Sequence, residues 1–312
     1  MKASLLDLRD LPVGQLSTLL AEEAREWQRE FLWDFGPSAT LVERFAQLRS
    51  LHGYALMIQG YCAGYGYYVA EESKGLIGDF YVRPAHRTEE NENVLLDAIL
   101  TALWRSPGVQ RVEAQPLTIG NPLERILPYQ RWVQRFPRML MEASLPLLAP
   151  VRDFDNIEPW HHRDRDASAA LIERSYRGHV DAEINDQYRT TSGADSFLAN
   201  IIQYPGCGEF QSAASFASRG RWNNLTGICL ASKVGPSQGH ITQVCVDPSV
   251  RGEGLGGALL AASCAALGEA GCNGVSLTVT EANRSAVTLY ERLGFRVRNR
   301  FAAYVWRRDQ TC

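Results

Sequence analysis

Val244-Cys245-Val246-Asp247-Pro248-Ser249-Val250-Arg251-Gly252-Glu253-Gly254-Leu255-Gly256-Gly257-Ala258 reads as the end of a strand, a short loop and the start of a helix. Gly252, Gly254, Gly256 and Gly257 carry no side chains to block close approach. Their backbone N–H groups, with those of Glu253 and Leu255 between them, can converge on an anion at the positive end of the helix. Arg251 either adds charge or braces the loop. A pyrophosphate is the natural guest. A dinucleotide-binding fingerprint needs a different glycine spacing and an acidic residue about 20 residues further on. A P-loop needs Lys-Ser/Thr directly after its glycines. Neither is present.

The alternation of elements continues outward from this stretch. Upstream, the pattern predicts helices over about 167–177 and 194–203 and strands at 209–218, 225–234 and 239–247. Downstream it predicts a helix over 255–270, strand 274–280, helix 283–293 and strands near 295–300 and 301–307. The first half has the same order: helices over 15–30 and 38–48, strands at 54–60, 62–71 and 75–84, helix 93–105 and strand 111–117. A helix over 121–134 and strand 139–145 complete it. VRPAHRTEENENVLLDAIL (82–100) lies over VDPSVRGEGLGGALLAASC (246–264) at a constant offset of 164, matching Val82 with Val246, Pro84 with Pro248 and Arg87 with Arg251. A duplicated fold is expected. Pro146 to Pro150 disfavours regular structure and marks the boundary, giving domains 1–147 and 150–312.

The spacing Arg251-x-x-Gly254-x-Gly256 after a strand ending Val246-x-Pro248 resembles the acyl-CoA loop of the GCN5-related N-acetyltransferases (GNAT). Asn283-Arg284-Ser285-Ala286-Val287-Thr288-Leu289-Tyr290-Glu291-Arg292-Leu293-Gly294-Phe295 resembles a later helix of that family, N-x-x-A-x-x-L-Y-x-x-x-G-F. The motifs stand in family order over about residues 151–307. The resemblance implies an α/β (α+β) protein of two tandem GNAT folds, each a mixed, mostly antiparallel sheet flanked by helices. It implies acetyl-CoA as cosubstrate, no metal, and direct attack by an amine in a ternary complex without an enzyme nucleophile. The N–H groups around Val244, Cys245 and Val246 would bind the pantetheine arm and the thioester carbonyl. Tyr290 falls at the family's general-acid position, protonating the departing thiolate. His240 falls where many members carry a Glu base, and a neutral imidazole can take the amine's proton directly or through water. Asn283 either caps its helix or bonds the pantetheine arm, and the two roles are compatible.

Acceptor recognition in such proteins falls to the first helices and the loop joining them, here residues 175–189. Asp181, Glu183 and Asp186 can neutralise an amine, and Tyr176 and Tyr188 can stack on a substrate; a solvated charged loop is the alternative. Cys245 lies in an apolar strand and is expected to be a packed thiol rather than a nucleophile. His161 and His162 lack a third ligand at useful spacing and read as a surface turn.

In the first half the loop becomes Arg87-Thr88-Glu89-Glu90-Asn91-Glu92-Asn93. The glycines are gone, and each carboxylate would repel a phosphate by on the order of 1 kcal/mol. This half is expected to be a degenerate GNAT-like domain that binds no acyl-CoA, while the C-terminal half is catalytic.

Composition sets the remaining bounds. Net charge is −3, with Lys+Arg 32 against Asp+Glu 35, which is no footprint for a nucleic-acid binder. No apolar run reaches the ~18 residues a membrane helix needs. The seven cysteines are odd in number, form no C-x-x-C pair and mostly lie in apolar segments, which suits a reducing cytoplasm. The expected partner is a small-molecule or peptide amine, with no nucleic acid and no membrane, for a monomer or homodimer. Two other functions stay open: a noncatalytic acyl-CoA sensor, and an acyltransferase using a longer acyl-CoA or a hydroxyl acceptor.

Overall fold

The computed structural model describes residues 3–308. In chain order the elements are β1 (Ser4–Asp7), α1 (Val13–Phe31), α2 (Gly36–Gln47), β2 (Gly53–Ile58), β3 (Tyr61–Glu71), β4 (Lys74–Val82), α3 (Glu89–Arg105), β5 (Arg111–Ala114) and β6 (Val133–Ser144). These are followed by β7 (Ile157–Pro159), α4 (Arg165–Tyr176), α5 (Asp181–Ile184), α6 (Thr191–Gln203), β8 (Glu209–Phe210), β9 (Phe216–Arg219), β10 (Leu225–Gly235) and β11 (Gln238–Val246). The chain ends with α7 (Leu255–Glu269), β12 (Gly274–Thr280), α8 (Arg284–Arg292) and β13 (Arg296–Arg307).

Two compact units form, each a mostly antiparallel sheet flanked by helices. The first contains residues up to Phe31, Phe35–Arg138 and residues from Arg300 onward; the second contains Leu32–Asp34 and Met139–Asn299. This differs from the boundary expected at Pro146 to Pro150. The long strands β6 and β13 each give a part to each unit, so no single cut separates the cores. Ala302, Tyr304 and Trp306 of β13 sit in the first core with Ile99 and Leu103. Met139, Met141 and Ala143 of β6 sit in the second with Leu259 and Val275. Cys312 lies outside the described residues; among those described, Cys62, Cys229, Cys245, Cys264 and Cys272 are buried free thiols and Cys207 is half-buried.

The strand order is β1-β2-β3-β4-β5-β13 in the first unit and β6-β12-β11-β10-β9-β7 in the second, with β8 beside β10. The repeat seen in the sequence extends to irregularities of the backbone. β4 skips Gly78 in its pairing with β3, and β11 skips Thr242 in its pairing with β10, again 164 residues apart. The parallel partners β5 and β12 stay in register only as far as Ile77 and Ile241. A bulge bends and twists its strand, and in each unit the parallel partner is lost just past it.

The helix expected over 121–134 does not form. Asn121 and Tyr129 adopt left-handed backbone angles, Pro122 and Pro128 remove two N–H donors, and β6 begins at Val133. The expected strand 209–218 is broken by a 3₁₀ turn at Ser212–Ala214, and the two strands expected near the C-terminus are one, β13.

Candidate active site

β11 carries the strand-to-helix stretch. Asp247 N–H bonds back to Thr226 O of β10 at 2.8 Å. Strand alternation therefore turns the N–H and C=O groups of Val244 and Val246 the other way, toward the edge that β12 has left. The helix on the far side of the loop begins at Leu255. Gly254, its N-cap, has φ +98, and Gly252 has φ +84 with no heavy atom within 4 Å of where a Cβ would stand. Both angles lie where a side chain would be strained. Gly256 and Gly257 act differently: a Cβ on either would meet Leu289 of α8, at 3.8 and 3.3 Å. Only the contact at Gly257 is tighter than ordinary van der Waals packing, so Gly257 lets α7 close onto α8, while a Cβ at Gly256 would fit against Leu289 and Val246. Leu255 itself is a buried core side chain.

Of the two roles open to Arg251, the structure shows bracing. Its Nε donates to Val246 O at 3.1 Å and an Nη to Ser175 O at 2.6 Å. A cation that sequence reading missed lies at the loop instead: Arg152 donates to Glu253 O at 3.3 Å and stands over the Phe154 ring. Glu253 itself is exposed. Asn283 caps α8, its Oδ1 accepting from Ala286 N–H at 3.3 Å and from the Ser285 hydroxyl.

Tyr290 is buried on α8, 6% exposed. Burial, followed by the nearby Cys229 and Asp181, raises its phenol well above the ordinary tyrosine value, so it is a full proton donor at neutral pH. Asp181 opens α5 and accepts a 2.5 Å hydrogen bond from Thr280, the last residue of β12. His179 Nδ1 lies 3.4 Å from its carboxylate. Asp181 also lies within electrostatic reach of Tyr176. The splayed strand edge, Tyr290 and Asp181 thus belong to one locale.

Three other candidates are placed otherwise than expected. Tyr176 and Tyr188 stack on each other, centroids 4.5 Å apart, rather than offering faces to a substrate. Their hydroxyls are drawn to Gln243, whose amide nitrogen donates to Tyr176 at 3.0 Å and whose oxygen accepts from Tyr188 at 3.4 Å. Gln243, 4% exposed on β11, was not singled out from sequence; one polar residue in the apolar run ITQVCV was the available signal. Glu183 is turned to Arg189 in a half-exposed ion pair. The Cys245 thiol is pushed up to about 12 by burial, the opposite of an activated nucleophile.

His240 is 5% exposed, with Nδ1 2.9 Å from Ser276 Oγ and its ring 4.9 Å from that of Trp33. No group of three His, Cys, Asp or Glu placed to hold a metal ion occurs among the described residues. His161 caps a turn with Asp164.

The corresponding loop of the first unit is closed. Arg87 repeats the brace of Arg251, Nε to Val82 O at 3.0 Å. Over the start of α3, however, lies the segment after Thr118. Arg125, fully buried, pairs with Glu92 at 2.6 Å and bonds Asn93 at 2.7 Å. Glu89 accepts from Ile126 N–H. Thr118 donates to Phe80 O at 3.2 Å, the carbonyl that answers to Val244 in the repeat. Glu92, which stands where Gly256 does in the repeat, and Glu89, which aligns with Glu253, therefore hold a plug of the protein's own chain.

The sequence profile of the acetyltransferase (GNAT) family matches residues 181–295. A mycothiol acetyltransferase of Clavibacter sepedonicus is 29% identical over 239 residues, 73% of this chain and 72% of the relative. Among solved structures, a GCN5-related N-acetyltransferase from Sphaerobacter thermophilus superposes with TM-score 0.68 at 16% identity, covering 98% and 95% of the two chains. A tandem GNAT protein from the clavulanic acid biosynthesis pathway superposes with TM-score 0.62 at 13% identity over the whole of both. Among the described residues no helix is long and apolar enough to cross a membrane. Residues 181–295 thus match the GNAT acetyltransferase family, and the chain over its whole length has the fold of a tandem GNAT protein and is similar to the mycothiol acetyltransferases.

Proposed function

We propose that the chain transfers acetyl from acetyl-CoA to a primary amine of a small-molecule acceptor, by direct attack in a ternary complex, using the second unit. The observation that carries this reading is the edge of β11 that loses its parallel partner β12 past Ile241, next to a glycine-opened helix and a buried protonated phenol. The loop from Gly252 to Gly257 suits a pyrophosphate, because Gly252 and Gly254 adopt angles that keep side chains out of its mouth. Val244 N–H is the donor for the thioester oxygen, whose charge grows as the amine attacks. Val246 N–H and the Val244 carbonyl hold the pantetheine arm. Tyr290 gives its proton to the leaving sulfur. Asp181 faces the incoming ammonium, and His240 takes the proton released from it through water. The family match and the name of the mycothiol acetyltransferase relative support a small-molecule acceptor.

Titration calorimetry with acetyl-CoA, combined with thiol release in the presence of a panel of primary amines and their hydroxyl analogues, tests the reading. The expected result is binding, with thiol release that depends on an amine. Tight binding with no release above the blank for any amine would turn the assignment toward a sensor.

A further inference from the structure

Strand register sets Ser232, His240 and Ser276 in one row across β10, β11 and β12. All three are buried, with exposures of 0%, 5% and 1%, and the Trp33 indole lies against the imidazole. Ser276 Oγ has two neighbours: His240 Nδ1 at 2.9 Å and Gly239 O, to which it is placed to donate at 3.4 Å. A serine hydroxyl has one proton and a carbonyl none. If that proton goes to Nδ1, the contact with Gly239 O holds no hydrogen. Both bonds form together in one arrangement only: Nδ1–H donates to Oγ, and Oγ–H donates to Gly239 O. A neutral imidazole carries a single N–H, so Nε2 is then the nitrogen with the lone pair. Buried polar groups are under pressure to satisfy every bond available, because an unmade one leaves the desolvation penalty of its group uncompensated.

We propose that Ser276 is a positioning residue for acetyl transfer: it relays His240 Nδ1–H to the Gly239 carbonyl, fixing the tautomer whose Nε2 can accept the amine's proton. The proposal rests on the reading of His240 as base given above. A second feature of the row fits a proton path. Ser232 Oγ is buried and has no hydrogen-bond partner among the described residues. As a cross-strand pair with His240 it stands on the same face, Cβ atoms about 4.5–5.5 Å apart. A buried hydroxyl in that position is a ready ligand for a bridging water.

Two-bond ¹H–¹⁵N correlation spectra of the full-length protein, labelled at histidine, test this without knowledge of the acceptor. The chain has six histidines, and the signal missing from His240→Gln identifies the ring. Above its titration, wild-type His240 is expected as the Nδ1–H form. Ser276→Ala should move it toward Nε2–H, and Ser276→Thr, which keeps the hydroxyl, should restore it. In amine-dependent thiol release, Ser276→Ala should lower kcat by roughly tenfold or more and displace the acid limb of the pH profile, with KM for acetyl-CoA unchanged. A wild-type Nε2–H ring overturns the proposal, whether or not Ser276→Ala folds, as does a Ser276→Ala ring that stays Nδ1–H. If the tautomer behaves as stated but His240→Gln keeps both rate and acid limb, the base reading fails instead. Ser276 would then orient a ring that moves no proton.

Discussion

Tyr290 shows how much of a role can sit in one side chain. Its phenol is buried, held protonated by its surroundings, and carried on a helix whose start is fixed by the Asn283 cap. Tyr290→Phe keeps the ring and its packing against Phe295 but removes the proton. If it serves the leaving thiolate, kcat should fall by roughly 100-fold with acetyl-CoA affinity little changed. Presteady-state thiol release reads this directly; an unchanged chemical step would remove Tyr290 from the mechanism. The position of Tyr290 was legible in the sequence because helical spacing and a motif locate it. The pairing of Tyr176 with Tyr188 was not, because it depends on Gln243 arriving from a strand more than fifty residues further along the chain. Trp33 was hidden for the same reason. Its aromatic neighbours in sequence, Phe31 and Phe35, both pack on Trp27 in the first unit, while Trp33 packs on His240.

At the scale of elements, the loop between β11 and α7 was legible down to its glycines, although their separate duties were not. Gly254→Glu should abolish acetyl-CoA binding for two independent reasons. The left-handed backbone at Gly254 costs a side chain on the order of 1–2 kcal/mol, and the new carboxylate faces the phosphates. Gly254→Ala carries the first penalty alone and should weaken binding without abolishing it; equal losses for the two variants would assign the effect to backbone strain. An element contact in the first unit makes a pH prediction. Tyr65 Oη lies 2.8 Å from Glu23 Oε2 and 2.5 Å from Asp79 Oδ2. One phenol proton cannot serve both carboxylates, so one of them is itself protonated when both bonds form. Burial pushes Asp79 up to about 6 and Glu23 well above its ordinary range. The folded state then keeps protons that the unfolded chain releases near pH 4, so stability falls as pH rises from about 4 through 6. Glu23→Gln reproduces the protonated acid: its oxygen accepts from Trp27 and its nitrogen donates to Tyr65. Its Tm should decline less than that of wild type between pH 5 and pH 8. Parallel declines would mean that Glu23 does not hold the proton.

Taken whole, the molecule repeats one fold and keeps one open loop. The duplicated bulge at Gly78 and Thr242 shows how far the likeness reaches, and the plug at Arg125 shows where it stops. Acetyl-CoA should bind with a stoichiometry near one per chain, and titration calorimetry giving two equivalent sites would contradict the closed reading of the first loop. The repeat was legible as an offset in the sequence; the division of the chain was not. ARG-rich β13 reads as a run of strand residues with nothing to mark the point, between Asn299 and Arg300, where it passes from one core to the other. A cut at the prolines therefore removes core from both halves. Fragment 1–147 lacks Ala302, Tyr304 and Trp306, all at most 1% exposed. Losing a buried Trp alone costs about 3–5 kcal/mol, against a net stability of about 5–15 kcal/mol for a typical domain. Fragment 150–312 lacks Met139 and Met141, at about 2–5 kcal/mol each, and exposes the edge of β12 that β6 covers. Neither fragment should give a cooperative thermal transition by circular dichroism, whereas the full chain should. A cooperative melt for 150–312 would show that the second core closes without β6.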